Sequence, residues 1–120
     1  MPWLPYAPID RGRAWSTLRS GSTIRRMPFS PLDLTGRVAV VIGGTSGIGR
    51  ALVRGLAEAG ADIVPTARRT DLIEETAAEV EALGRRSLRV ASDVGDRASL
   101  DALLAETIRA FGKVDIMVNC

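Results

Sequence analysis

Apolar residues along this chain follow two alternating rhythms. Val38 to Ile42 is an unbroken apolar run, the pattern of a strand buried on both faces, and it leads directly into Gly43-Gly44-Thr45-Ser46-Gly47-Ile48-Gly49. A helical period follows, expected to place Ile48, Ala51, Leu52, Gly55, Leu56 and Ala59 on one face and to stop at Gly60. Asp62 to Ala67 predicts a second strand, and Asp71 to Leu83 a second helix that turns Leu72, Ile73, Val80 and Leu83 inward before Gly84. Ser87 to Ala91 predicts a third strand. Asp96 to Phe111 predicts a third helix with Leu100, Leu103, Leu104, Ile108 and Phe111 toward the core, and Val114 to Val118 a fourth strand.

Strand and helix repeated at this spacing require right-handed crossovers, and so a parallel sheet with helices on both faces. The fold class is therefore α/β, a doubly wound parallel sheet. The sequence stops at Cys120, directly after a strand of interior composition, so the sheet reads as truncated after the fourth strand. Residues 1–30 keep neither rhythm. They carry Pro2, Pro5, Pro8 and Pro28 and four of the five aromatic residues, and they read as a flexible N-terminal extension ahead of a folded part spanning 31–120. The early prolines spoil the amphipathic helix that a transit peptide needs. Met27 opens a plausible second start, in which case residues 1–26 are an over-extended reading of the gene.

Composition narrows the chemistry. At 120 residues with 46% hydrophobic content, the chain is sized for one core. It has no histidine and a single cysteine, Cys120, which excludes an intramolecular disulfide framework, a zinc site of the usual ligand set and any relay with a histidine base. No metal ligands are expected. Cys120 itself reads as the filler of a small buried position, with no cationic partner to activate it. The longest apolar run is Val38–Ile42, far short of a membrane span, and the expected location is the cytoplasm.

Charge divides unevenly. Five arginines against Asp10 put +4 on residues 1–30, while the remainder holds 11 basic and 13 acidic groups, a net −2. Nucleic-acid binding is thereby disfavoured, because displacing counterions needs clustered cations on the folded face.

Glycines between a first strand and a first helix let a phosphate approach the backbone and meet the helix's unpaired N–H groups. The spacing G-x-G-x-x-G fails, since Leu52 stands at the sixth position counted from Gly47. The P-loop spacing fits Gly44 to Gly49, but Arg50 and Ala51 replace its lysine and hydroxyl residue, which disfavours nucleoside triphosphate hydrolysis. The spacing G-x-x-G-x-x-G of extended sugar-nucleotide enzymes is not formed either.

What fits is G-x-x-x-G-x-G at Gly43, Gly47 and Gly49. Val41 to Gly49 resembles the T-G-x-x-x-G-x-G loop of the short-chain dehydrogenases/reductases. Leu34-Thr35-Gly36-Arg37-Val38-Ala39 ahead of it, Ser92-Asp93-Val94 after the third predicted strand and Val118-Asn119 after the fourth are similar to that family's pieces in the same order. Two departures stand out: Ile42 replaces the family's threonine, and Cys120 its second asparagine.

The resemblance implies the N-terminal half of an NAD(P)-binding Rossmann domain. Gly43, Thr45, Ser46, Gly47, Ile48 and Gly49 would face the pyrophosphate, Asp93 the adenine amino group and Val94 the adenine ring. Asn119 would tie strands together below the cofactor. At the end of the second strand, where a carboxylate holds a ribose 2′-hydroxyl and an arginine favours a 2′-phosphate, the sequence has Thr66-Ala67-Arg68-Arg69. Guanidinium forks suit phosphate, so NADP is favoured over NAD, with Arg68 the main contact and Arg69 an assistant. The family's carbonyl chemistry uses a serine, a tyrosine and a lysine four positions beyond it. Tyr6 is followed at that spacing by Asp10, and Lys113 is the only lysine, so no catalytic residue is assigned. Hydride transfer on a small carbonyl or alcohol, and a homo-oligomeric state, are implied for a full-length form. The alternative is a non-catalytic nucleotide-binding module or a non-functional gene fragment.

Overall fold

The computed structural model describes residues 32–120; the expected N-terminal extension lies outside them. Six elements follow one another: β1 (Val38–Ile42), α1 (Gly47–Glu58), β2 (Asp62–Thr66), α2 (Thr70–Ala82), α3 (Arg97–Phe111) and β3 (Ile116–Asn119). All strand pairs are parallel, in the order β2-β1-β3, with Val38 opposite Asp62 and Ala39 opposite Ile116 at the starts of the registers. β1 is buried at every position, as a run of alternating in-and-out apolar side chains must be when both faces are covered.

Those faces carry different partners. Ala39, Val41 and Ile63 pack with Val53 and Ala57 of α1 and Val80 of α2, while Val40, Ile42 and Val64 meet Leu103 of α3. This is the doubly wound α/β arrangement that the alternation predicts.

Three expectations are corrected. The third predicted strand, Ser87–Ala91, does not form; a single parallel bridge, Ile63 to Ser87, stands in its place, and the sheet of the described residues has three strands. Pro65 supplies the reason. The Ile63 N–H donates to Arg86 O (3.0 Å) and Ala67 O accepts from the Ser92 N–H (2.9 Å), so the odd-numbered backbone groups of β2 face the 86–92 segment. Position 65 is next in that alternation, and proline has no N–H to donate. Side chains take over instead: Thr66 Oγ1 donates to Val90 O (2.6 Å), and Ser87 Oγ to Ile63 O (2.9 Å).

Second, α1 is rotated relative to the face its apolar residues suggest. Gly49, Val53 and Ala57 are buried, whereas Ile48 is 77% exposed and Ala51, Leu52 and Gly55 also face outward. Third, α3 buries Leu103 and Thr107 but leaves Leu104 and Ile108 exposed; Met117 on β3 is exposed as well. Leu83 is likewise exposed, and the α2 face is completed by Thr76 and Ala77.

Pro65→Val tests the account of the missing strand. The new amide is expected to reach Leu88 O, and slowed hydrogen exchange at residue 65 is the readout; an unprotected amide there removes the explanation. Stability itself should shift little. One added hydrogen bond contributes about 1 kcal/mol, and losing proline's restriction of the unfolded chain offsets about 0.4–1 kcal/mol.

Candidate functional site

The carboxyl ends of the three parallel strands open onto one edge of the sheet, and the predicted site residues gather there. Gly43 follows β1, its N–H donating to Thr66 O (2.9 Å) at the end of β2; the Cys120 N–H donates to Ile42 O (2.9 Å) at the end of β3. The Ser92–Ala67 bond brings in the segment that carries Asp93 and Val94.

The turn between β1 and α1 is built by close backbone approach. Gly43 has φ +76°, and a Cβ on it would stand 2.6 Å from Cys120 O. A Cβ on Gly49 would lie 2.0 Å from Gly43 O, so the first turn of α1 rests against the loop that precedes it. Thr45 is buried beneath the turn. Ser46 is the N-cap of α1 in extended conformation, yet its side chain caps nothing, and no acidic residue stands in the first turn.

The first backbone bond of α1 runs from the Arg50 N–H to Ser46 O (3.2 Å). The N–H groups of Gly47, Ile48 and Gly49 therefore have no acceptor among the described residues, and they sit at the positive end of a helix. α3 is the contrast within the same chain: its N-cap, Asp96, accepts from the Ala98 N–H (3.0 Å). Free donors, no competing carboxylate and a backbone that only glycine permits are the properties a pyrophosphate seat requires. The residues present fit the phosphates of a dinucleotide.

Arg50, which stands where a P-loop would place its lysine, is turned away onto Glu75 and Glu79 of α2.

Arg68 and Arg69 follow β2 and are both exposed, but they differ in company. Arg69 grips Asp71 through two bonds, Nε to Oδ1 (3.3 Å) and Nη2 to Oδ2 (2.7 Å). The guanidinium holds the Asp71 carboxyl below the usual carboxylate range, so it is charged at neutral pH. Arg68 makes no hydrogen bond or ion pair among the described residues. Asp71 lies in the first turn of α2 and does not cap it; the N-cap is Arg69.

Asp93 is fixed on both sides. Its N–H donates to Ser99 Oγ (2.9 Å), and its Oδ1 accepts from the Gly95 N–H (2.9 Å), leaving Oδ2 free among the described residues. Val94 is exposed beside it. The cap of α3 is Asp96, not Asp93.

Asn119 pairs with Ile42 in the β1–β3 register; its side chain has no partner among the described residues, so the tie between strands is made by backbone alone. Cys120 is exposed, which corrects the expectation of a buried filler. Lys113 lies beyond the Gly112 cap of α3 and pairs with Asp115 (3.0 Å).

Thr66 and Ser92 are named within the sequence motifs, but the contact between them is not. Thr66 and Ser92, both buried, stand 2.8 Å apart through their Oγ atoms and lock the Asp93 segment to the end of β2. No local pattern marks their pairing, which joins residues 26 positions apart. Among the described residues no group of three or more His, Cys, Asp or Glu is placed to hold a metal, and no helix is long and apolar enough to cross a membrane.

A parallel sheet wound on both sides, with a glycine turn and an uncapped helix start at its carboxyl edge, is the architecture of the doubly wound α/β class. The short chain dehydrogenase family model matches residues 37–120, and this chain belongs to that family. It is 40% identical over 95 residues to 2-dehydro-3-deoxy-D-gluconate 5-dehydrogenase of Dickeya dadantii, covering 78% of this chain and 36% of that one. It is 39% identical to L-rhamnose 1-dehydrogenase (NAD(P)(+)) of Sphingomonas sp., covering 72% and 34%. Among solved structures, a hydroxysteroid dehydrogenase from Escherichia coli superposes with a TM-score of 0.71 at 33% identity, over 73% of this chain and 37% of that chain. The chain thus spans about a third of the length of these relatives.

Proposed function

We propose that these residues form the NADP-preferring dinucleotide-binding part of a short-chain oxidoreductase that moves a hydride between cofactor and a ketone or secondary alcohol. The observation that carries the reading is the pairing of an uncapped α1 start with an Arg68 that has no partner among the described residues, at the end of the neighbouring strand. The N–H groups of Gly47, Ile48 and Gly49, with the Ser46 hydroxyl, would hold the pyrophosphate, and Arg68 would fork onto a ribose 2′-phosphate. Asp93 Oδ2 is an acceptor for an adenine amino group, and Val94 an apolar surface for the ring. When bound, the dinucleotide supplies the hydride through its nicotinamide ring.

No serine, tyrosine and lysine of the family's catalytic spacing occurs in the 120 residues. We therefore propose that the chain by itself binds cofactor without turning over substrate. A small carbonyl or alcohol substrate and a homo-oligomer belong to the full-length form of this reading, and the cytoplasm is the compartment proposed for it.

Titration calorimetry of the chain with NADPH and NADH tests the assignment. NADPH is expected to bind about tenfold or more tightly than NADH, since one charge-assisted fork contributes roughly 1.5–3 kcal/mol. Arg68→Ala should remove that difference while leaving NADH affinity nearly unchanged. Equal affinities in the parent chain, or no heat with either dinucleotide, overturn the reading.

A further inference from the structure

Two adjacent arginines follow β2, and the structure treats them unequally. Arg69 has one edge of its guanidinium, Nε and Nη2, committed to both oxygens of Asp71, while Arg68 is unpartnered among the described residues. Asp71 is held where it is by more than Arg69. It occupies the first turn of α2, at the positive end of a 13-residue helix, which favours a carboxylate at that place. A guanidinium whose Nε–Nη2 edge is matched to a carboxylate keeps only its Nη1–Nη2 end for a second anion, and the paired carboxylate offsets its charge and fixes where it points.

We propose that Asp71 is a positioning residue for cofactor selection: by clamping Arg69 and offsetting its charge it leaves Arg68 as the main phosphate fork and sets a moderate, not maximal, preference for the 2′-phosphorylated dinucleotide. The inference rests on the reading of the β2 end as the ribose 2′ site. It makes the arginine pair a graded device. Removing one carboxyl charge releases a second fork onto the same phosphate, with no change to the turn that seats the pyrophosphate.

The test is a double-variant cycle on the 120-residue chain, read by calorimetric Kd for NADPH and NADH. Asp71→Asn keeps the side chain's size and removes its charge; it is expected to tighten NADPH about five- to tenfold and to change NADH less than about twofold. Asp71→Ser, which keeps an oxygen acceptor at the start of α2, is the second variant should the first fail to fold. In the Arg69→Ala background, Asp71→Asn should have no further effect on NADPH. An equal gain in that background means that Asp71 acts by simple charge repulsion, which overturns the clamp. An unchanged NADPH affinity in Asp71→Asn, in a chain where Arg68→Ala still abolishes the preference, overturns the clamp and leaves the cofactor reading standing. Indifference of the parent chain and of Arg68→Ala to the 2′-phosphate overturns the cofactor reading itself, and the clamp with it.

Discussion

Gly49→Ala is expected to abolish dinucleotide binding and to cost about 3 kcal/mol or more in stability. The new Cβ would meet Gly43 O at 2.0 Å, Gly43 C at 2.8 Å and Gly44 Cα at 3.1 Å. All three are backbone atoms, so no side chain can rotate aside; either the loop or the first turn of α1 must move. Gly43 has little room to retreat, being itself hydrogen-bonded to Thr66 and packed against Cys120. The displacement therefore separates the free N–H groups of α1 from the strand ends, and that separation removes the anion seat.

Gly55→Ala is the internal control. That glycine is exposed, and a Cβ on it meets nothing within 4 Å. Alanine there should stabilise the helix by about 0.5–1 kcal/mol and leave binding intact. Urea unfolding followed by circular dichroism, with NADPH titration of both variants, separates the two. A Gly49→Ala chain that melts and binds like the parent would show that the turn does not hold Gly49 against Gly43.

Ile63→Ala is expected to cost about 4 kcal/mol, near the upper end for an aliphatic truncation to alanine in a core. Ile63 is fully buried, the second residue of β2, on the face covered by both α1 and α2. Its neighbours Ala39, Val41, Val53, Ala57 and Val80 are small or β-branched, anchored on strand and helix backbone, and poorly able to collapse into the space left. Against a total stability of about 5–15 kcal/mol for a domain, this one change removes a large share.

Val64→Ala, one residue along, points to the opposite face. There Leu103 is the one buried helical residue of the cluster among the described residues, and Leu100, Phe111, Leu88 and Val90 are only partly buried. It should cost about 1–2 kcal/mol, because the truncation is smaller and the neighbours freer to move. Chemical denaturation of the two variants measures the asymmetry; equal losses would mean that both faces are packed alike.

The same asymmetry explains which parts of this protein could be read without coordinates. Element order, the parallel sheet and the glycine turn follow from the apolar run at Val38–Ile42, the helical periods and the stops at Gly60 and Gly84, all of which act within a few residues. The gathering of Gly43, Arg68, Asp93 and Asn119 at one edge follows too, since parallel strands end on the same side.

Rotation and register were decided elsewhere. Ile48 and Leu52 are the more apolar residues of α1, yet Gly49 and Val53 face inward, because only a side chain of hydrogen fits against Gly43 O. Ser87–Ala91 has strand composition, yet it lies opposite Pro65, whose missing donor matters only once the two segments are side by side. The sequence ranks Arg68 ahead of Arg69 by position alone, and it is the path of the chain into α2 that brings Asp71 to Arg69 and not to Arg68. Local propensity acts along the chain and is legible there; steric exclusion, ladder donors and ion pairing act across it, between residues whose neighbourhood exists only after folding.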